Sequence, residues 1–149
     1  MATLLGIAIK RRKYAEMELL PQVQLSPESG LAGDYRGAPG KRQVTLLSLA
    51  DWNRACAELG IEQPWHARRA NLLVDELPLF ETKGALLTLG EAVLEVTGET
   101  DPCERMEAVQ PGLFKALAQE WRGGVTCRVI TGGLLTVGMN ISLQLLSHQ

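Results

Sequence analysis

The sequence has few residues of the types that build zinc sites and disulfide frameworks. Its three cysteines, Cys56, Cys103 and Cys127, are widely spaced, and its two histidines, His66 and His148, are far apart. No cysteine pair has the CxxC spacing of a zinc site, and an odd, scattered set does not form a disulfide framework. These absences argue against a common zinc site and a disulfide-stabilised secreted domain, and they favour free thiols in a reducing compartment.

The sequence also lacks a long apolar run and an excess of positive charge. No apolar stretch approaches the ~18 residues that a membrane-spanning helix needs, and the N-terminal charges follow the apolar residues, the reverse of a secretory signal. With 15 basic and 17 acidic residues the net charge is −2, whereas nucleic-acid binding depends on neutralising phosphates. We therefore expect a cytoplasmic protein with neither a membrane nor a nucleic acid as partner. The basic run Lys10–Lys13 is interpreted as a solvated strand end.

Short apolar runs separated by glycines make up most of the chain. Its 149 residues suit a single domain, which we expect to span residues 1–149. In Val125–Val129, apolar residues alternate with Thr126 and Arg128, a pattern typical of half-buried strands. About eight such runs predict a mainly β fold. A closed or nearly closed β-barrel with about two helices would leave few strand edges unpaired.

Two segments have helical periodicity instead. The first follows Ser48, which forms a capping-box pattern with Asp51, and it ends before Gly60, a favourable residue after a helix. Its apolar stripe includes Cys56. The second predicted helix extends over Pro111–Trp121, carries Phe114, Leu117 and Trp121 on one apolar face, and stops at Gly123–Gly124.

The same patterns distinguish the three cysteines. Cys56 lies on the apolar stripe of the first helix and Cys127 on the apolar side of a strand, so both are expected to be inert core thiols. Cys103 belongs to neither pattern. It lies in a connecting loop between a strand and the second helix, where functional residues tend to gather.

The stretch "GETDPCERME", residues 98–107, surrounds Cys103 with charges of both signs. A reactive or metal-binding sulfur is a thiolate, which nearby positive charge stabilises. Arg105 supplies such a charge, whereas Asp101 and Glu104 oppose it. The residues alone therefore leave two interpretations of Cys103, a reactive or metal-ligating sulfur and an ordinary small residue.

Two further polar stretches precede predicted strands. "GLAGDYRGAPGKRQ" holds four glycines and includes Lys41 and Arg42, so its backbone N–H groups and cations suit an anion, although its glycine spacing is not that of a P-loop. In "HARRANLLV", Arg68 and Arg69 suit phosphate, and Asn71 suits the edge of a heterocycle. The alternatives are a mobile surface turn for the first stretch and exposed charges at a strand start for the second.

Together these stretches resemble the MOSC domain, the module named for the C-terminal part of molybdenum cofactor sulfurases. The resemblance covers nearly the whole chain, and its most specific part is "LEVTGETDPCERM" followed by "RGGVTCRVITGG". It implies a mostly β, barrel-like fold with Cys103 at the family's cysteine position. That cysteine carries sulfur as a persulfide in sulfurase-type members, and it ligates molybdenum in the related amidoxime-reducing enzymes.

The resemblance also implies the molybdenum cofactor, a molybdenum–pterin, as ligand. Cys103 would be its metal ligand, and Arg69 and Asn71 match the family's Arg-x-Asn beside the pterin. The remaining candidates for cofactor binding are Lys41, Arg42, Arg68, Arg105 and Asp101. The sequence departs from many members at Gly138, which is followed by Met139 rather than an acid.

Three functions are compatible with this resemblance. The first is reduction of N-hydroxylated or similar small substrates, with an electron-transfer protein as partner. The second is a persulfide carrier on Cys103 that serves metal–sulfur or molybdenum cofactor sulfuration and receives sulfur from a donor protein. The third is a non-catalytic module that binds an anion. Because the resemblance accounts for the chain as a MOSC module alone, we expect no pyridoxal phosphate site within it, although sulfurases carry one in a separate domain.

Overall fold

The computed structural model describes residues 1–100 and 104–145, without the side chains of Glu104 and Arg105. Within these residues lie eleven strands and three α-helices: β1 (Thr3–Ile9), β2 (Glu18–Leu19), β3 (Gln22–Ser26), β4 (Gly30–Leu31), β5 (Val44–Ser48), α1 (Leu49–Leu59), β6 (Leu72–Asp75), β7 (Leu86–Leu89), β8 (Ala92–Glu99), α2 (Glu104–Val109), α3 (Leu113–Ala118), β9 (Val125–Thr131), β10 (Gly133–Thr136) and β11 (Ser142–Gln144). Short 3₁₀ turns occupy Trp65–Arg68 and Gln119–Trp121. No helix in the part of the chain described here has the length and apolar character needed to cross a bilayer.

Eight strands form one large sheet in the order β11-β7-β8-β9-β5-β6-β1-β2. Its pairs are antiparallel except β5 and β6, which are parallel because α1 connects them. The sheet curls through 202° and is a half-barrel. The mainly β prediction is therefore confirmed, but the expectation of a closed barrel is not.

The two ends of the large sheet meet without a continuous ladder among the described residues. Thr3 and Asn140 form an isolated bridge, and the Leu4 N–H donates to the Met139 carbonyl at 2.9 Å. At the β1 end, β2 is only two residues long. Strands this short have too few backbone N–H and C=O groups to form a continuous hydrogen-bond ladder between the two edges. The sheet therefore remains a half-barrel.

A smaller sheet, in the order β10-β3-β4, packs on the curled sheet. It contributes Val23, Leu25, Leu31 and Leu135 to the same buried cluster that the large sheet lines with residues such as Leu46. The inner face of the half-barrel is therefore covered by a second layer, which removes its apolar side chains from water.

The helices cover the outer face of β5 and β6. Leu47 and Leu73, one residue along from the inward-facing Leu46 and Leu72, join a second buried cluster with Cys56 and other residues of the helices. Neighbouring leucines on each strand face opposite sides of the sheet, because side chains alternate along a strand with a period of two residues. The second cluster fixes the helices against the two strands that lead into the site.

The first predicted helix is confirmed at both ends. Ser48 is its N-cap and accepts a hydrogen bond from the Asp51 N–H at 3.4 Å, and Gly60 follows it with a φ of 64°. Trp52 and Cys56 on its stripe are buried, as predicted.

The second predicted helix is shorter than expected. The α-helical part is Leu113–Ala118, and beyond it Glu120 and Trp121 have positive φ angles of 48° and 58° that end the regular helix. Phe114, expected on its buried face, is exposed. Helix α2 was not predicted, because the apolar residues in its sequence do not follow a clear helical period.

Candidate functional site

A cleft of about 1210 Å³ opens beside the starts of β5 and β6. Five predicted residues from two separate loops line it: Lys41, Arg42, Arg68, Arg69 and Asn71. They come together because β5 and β6 are parallel neighbours, so the segments preceding them lie at the same end of the sheet. The predicted residues Asp101 and Cys103 and the side chain of Arg105 lie outside the described residues.

The cleft is basic although the protein is slightly acidic. Its described lining carries one carboxylate, Asp34, and six cations: Lys10, Arg36, Lys41, Arg42, Arg68 and Arg69. Guanidinium and ammonium groups are the side chains that bind phosphate most strongly. The lining therefore fits an anionic ligand that bears a phosphate.

Asp34 fastens the glycine-rich loop, residues 30–42, to the end of β1. Its Oδ1 accepts the Lys10 N–H at 2.9 Å, and the Tyr35 N–H donates to the Lys10 carbonyl at 2.6 Å. Partial burial raises the pKa of the Asp34 carboxyl, while hydrogen bonds from Lys10, Asn71 and Arg36 oppose that rise. The carboxylate is thus part of the framework of the cleft as well as of its lining.

Asn71 is buried, and its amide is hydrogen-bonded entirely within the protein. Its Oδ1 accepts from the Thr45 N–H at 3.1 Å and from the Thr45 hydroxyl at 3.2 Å. Its Nδ2 donates to the Ala8 carbonyl at 3.1 Å and to Asp34 Oδ2 at 3.4 Å. These four bonds use both acceptor positions and both donors of the carboxamide. Asn71 lies at the predicted place, with its amide directed into the framework between β1, β5 and the loop.

Gln43 holds the other end of the glycine-rich loop. Its Nε2 donates to the carbonyls of Pro27 at 2.7 Å and Gly37 at 3.0 Å, and its Oε1 accepts the Val129 N–H at 2.9 Å. A Cβ added at Gly37 would lie 1.7 Å from the Ser29 carbonyl oxygen, so this position requires glycine. The loop is therefore packed and hydrogen-bonded, in contrast to the mobile turn that the sequence left as an alternative.

Arg68 and Arg69 have different environments although they are adjacent. Arg69 follows the 3₁₀ turn with a left-handed φ of 66° and is exposed at the cleft, whereas Arg68 is only 7% exposed. A Cβ added at Gly123 would lie 3.4 Å from Arg68 Nη2 and 2.9 Å from the Thr100 carbonyl oxygen. The glycine therefore allows the segment that leads into β9 to pass close to the buried guanidinium.

The segment that carries Cys103 begins and ends at the cleft. Thr100 and Met106, three residues before and after Cys103, both line the cavity. The Thr100 Oγ1 is buried and has no hydrogen-bond partner within residues 1–100 and 104–145. A buried hydroxyl without a partner is costly. The Thr100 hydroxyl adds a polar group to a cleft that already has many hydrogen-bond donors.

Cys56 and Cys127 are buried, as predicted. Burial raises the pKa of both thiols, and for Cys127 the charge of Glu95 adds to the effect. Both therefore stay protonated and unreactive at neutral pH. No three His, Cys, Asp or Glu side chains among the described residues lie close enough together to hold a metal ion.

Two cations of the cleft were not among the predicted site residues. Lys10, interpreted from the sequence as part of a solvated strand end, is only 6% exposed and lines the cleft. Arg36 lies within the glycine-rich loop and also lines it. The sequence did show basic residues at both places, but only the pairing of β1 with β6 brings Lys10 beside Asn71.

The fold and the cleft define a class of protein, a mainly β half-barrel with a basic cleft beside the starts of two parallel strands. The sequence model of the MOSC domain matches residues 28–142. The chain belongs to the MOSC domain family. Comparison with curated proteins gives no match.

Several solved structures have a similar fold. The YuaD protein from Bacillus subtilis has a TM-score of 0.83 and 21% identity, over 99% of this chain and 98% of that one. YiiM from Geobacillus stearothermophilus has a TM-score of 0.79 and 16% identity, over 97% and 75% of the two chains. YiiM from Escherichia coli has a TM-score of 0.70 and 18% identity, over 99% and 71%. At these identities the likeness shows the fold.

Proposed function

We propose that the cleft binds a molybdenum–pterin cofactor and supports the reduction of N-hydroxylated or similar small substrates, with electrons from a partner protein. The observation that carries this proposal is the convergence of Lys41, Arg42, Arg68 and Arg69 in one basic cleft. The segment that contains Cys103 starts and finishes at the same cleft, at Thr100 and Met106.

The exposed and the buried cations of the cleft would have different roles in binding. The exposed Lys41, Arg42 and Arg69 would hold the cofactor's phosphate, because guanidinium groups bind phosphate with paired, charge-assisted hydrogen bonds and an ammonium group binds it as a point charge. The buried Arg68 adds positive charge at the base of the cleft, where the dielectric is lower and its field is stronger.

Cys103 would be the protein's ligand to the metal. A thiolate is a soft ligand of the kind that favours such metals, and a position in the basic cleft would favour the thiolate over the thiol. When bound, the cofactor supplies a molybdenum centre that exchanges electrons with a small substrate. The chain's own residues bind the cofactor, position the loop and keep the cleft basic.

A second candidate function is a persulfide carrier. Cys56 and Cys127 are buried with raised thiol pKa values, so Cys103 is the thiol left to accept sulfur from a donor protein. The transfer balances when the donor is itself a persulfide, because its outer sulfur passes to the Cys103 thiolate and the donor leaves as a thiolate. This candidate uses the same cleft but requires no bound metal at rest.

Elemental analysis distinguishes the two functions. We would purify the protein from a host that makes the molybdenum cofactor, and measure molybdenum, pterin and cyanide-reactive sulfane sulfur per chain. Near-stoichiometric molybdenum and pterin that are lost in Cys103→Ser support the first function. Metal-free protein whose sulfane sulfur is lost in the same variant supports the carrier. Equal loading of wild type and Cys103→Ser would overturn both.

A further inference from the structure

The turn between β1 and β2 lies against the glycine-rich loop at the mouth of the cleft. The Lys10 N–H donates to the Asp34 carboxylate and the Lys10 carbonyl accepts the Tyr35 N–H, and these two bonds join the segments. Lys10 and Met17, at either end of the turn, line the cleft. We call residues 10–18 and 33–42 the basic rim. A molecule that binds the exposed part of the basic rim therefore lies beside the opening of the cleft.

The basic rim includes positively charged side chains that do not line the cleft. Seven basic and three acidic side chains give it a net charge of +4, whereas the whole chain has −2, so the remainder carries −6. Arg11 is paired with Glu18 at 2.8 Å. Arg12 and Lys13 are exposed and do not line the cleft. These two cations therefore face outward.

Two exposed tyrosines lie in the basic rim, each beside a lysine. Tyr14 is 73% exposed and its ring lies 5.1 Å from Lys13 Nζ. Tyr35 is 49% exposed and its ring lies 5.8 Å from Lys10 Nζ. Tyr14 also has a φ of 67°, a conformation that a bulky residue rarely adopts and that is often found at functional positions. Tyrosine and arginine are the residues most enriched at protein interfaces.

We propose that the basic rim is the docking surface for a small electron-transfer protein with an acidic face. The inference rests on the proposed function, because a reduction in the cleft needs an electron donor close to its opening. Charge complementarity selects the partner: opposite potentials steer encounter and orient the two proteins. Complexes of electron-transfer proteins have small interfaces, so a docking surface for such a partner can be confined to two short segments. A long nucleic acid would extend beyond the rim, and the rest of the chain has a net charge of −6.

Binding measurements with purified proteins test the proposal. The probe is a [2Fe–2S] ferredoxin with an acidic surface, and the dissociation constant is measured at about 25 mM and about 250 mM NaCl, since a higher salt concentration screens exposed charges. The test variant is Arg12→Glu with Lys13→Glu. The control is Lys83→Glu with Lys115→Glu, which changes the net charge equally at exposed positions outside the rim.

We expect salt-sensitive binding that the rim variant weakens by about tenfold or more at low salt, with less than about a twofold change in the control. Tyr14→Asn, which keeps a residue that tolerates a positive φ, should weaken binding as well. Equal losses in the rim variant and the control, or binding that does not respond to salt, would overturn the proposal. Tighter binding of a short single-stranded oligonucleotide, lost in the same rim variant, would assign the rim to nucleic acid instead. The binding assay needs no molybdenum, so its failure is distinct from failure of metal loading.

Discussion

Asn71 donates a hydrogen bond to Asp34 across 3.4 Å, and this contact joins the start of β6 to the glycine-rich loop. The same amide binds Ala8 at the end of β1 and Thr45 in β5. One buried side chain thus fixes the relative positions of three elements that line the cleft. Its role in the described structure is to position the loop that carries Arg36 and Lys41.

Asn71→Asp should loosen the glycine-rich loop. The change replaces two donors with a carboxylate oxygen opposite Asp34 Oδ2, so we expect a loss of about 1–3 kcal/mol in the free energy of unfolding. Trypsin should cleave the native protein after Arg36 or Lys41 about tenfold faster, because cleavage follows the population of the opened loop. Asn53→Asp, an equal charge change at an exposed helix position, is the control. Unchanged cleavage in Asn71→Asp would contradict the positioning role.

Gln43→Glu should weaken the far end of the same loop. The substitution retains an acceptor for the Val129 N–H but removes the donor to the Pro27 and Gly37 carbonyls. We expect about 1–3 kcal/mol of destabilisation, measured by urea unfolding, because two buried acceptors lose their partner. Gln24→Glu at an exposed strand position should change the stability by less than about 0.5 kcal/mol. Similar losses in both variants would mean that the hydrogen bonds of the Gln43 side chain contribute little to the free energy of unfolding.

Arg69→Ala and Arg68→Ala should behave differently. Arg69 is exposed on the cleft, so its removal should leave the melting temperature nearly unchanged while weakening cofactor retention by roughly 2–4 kcal/mol, if it pairs with a desolvated phosphate. Arg68 is buried, so its removal should also lower the melting temperature, since it leaves a cavity in a packed region. Bound molybdenum and thermal unfolding are measured on both. Full metal retention in Arg69→Ala would remove this residue from the site.

Alkylation of the native protein should modify Cys103 first. Cys56 and Cys127 are buried with raised thiol pKa values, and only a thiolate reacts at an appreciable rate. Iodoacetamide labelling at pH 7.5 followed by peptide mass spectrometry gives the order, and denatured protein is the reference in which all three thiols react. Equal native rates at the three positions would refute the assignment of Cys56 and Cys127 to the core.

Cys127 should make the protein less stable at alkaline pH. Its thiol pKa is raised by burial in the folded state, so the unfolded chain loses this proton first, near its ordinary pKa of about 8.5. The folded state then holds more protons than the unfolded state, and stability should fall by up to about 1.4 kcal/mol per pH unit above that point. Urea unfolding between pH 8 and 10 should give a shallower decline for Cys127→Ala than for wild type. Parallel curves would show that another group causes the effect.

The sequence by itself determined most of the local elements, with α2 as an exception, and the identity of most candidate site residues. Alternation placed Cys127 on a buried strand face, and Ser48 and Gly60 marked both ends of the first helix, because these signals arise from contacts within a few residues. Motif resemblance singled out Arg69 and Asn71 and assigned the family. These local patterns do not fix how far a sheet curls, since that depends on which distant strands pair.

Only the tertiary structure decided which groups share the cleft and what each does there. Lys10 enters it because β1 pairs with β6, a contact between residues more than sixty positions apart. The amides of Asn71 and Gln43 are turned into the framework because backbone groups of β1, β5, β9 and the loop surround them. The half-barrel stays open because its end strands are too short to pair along their length. Each outcome depends on long-range packing, in which burial and hydrogen bonding of distant segments outweigh local preference.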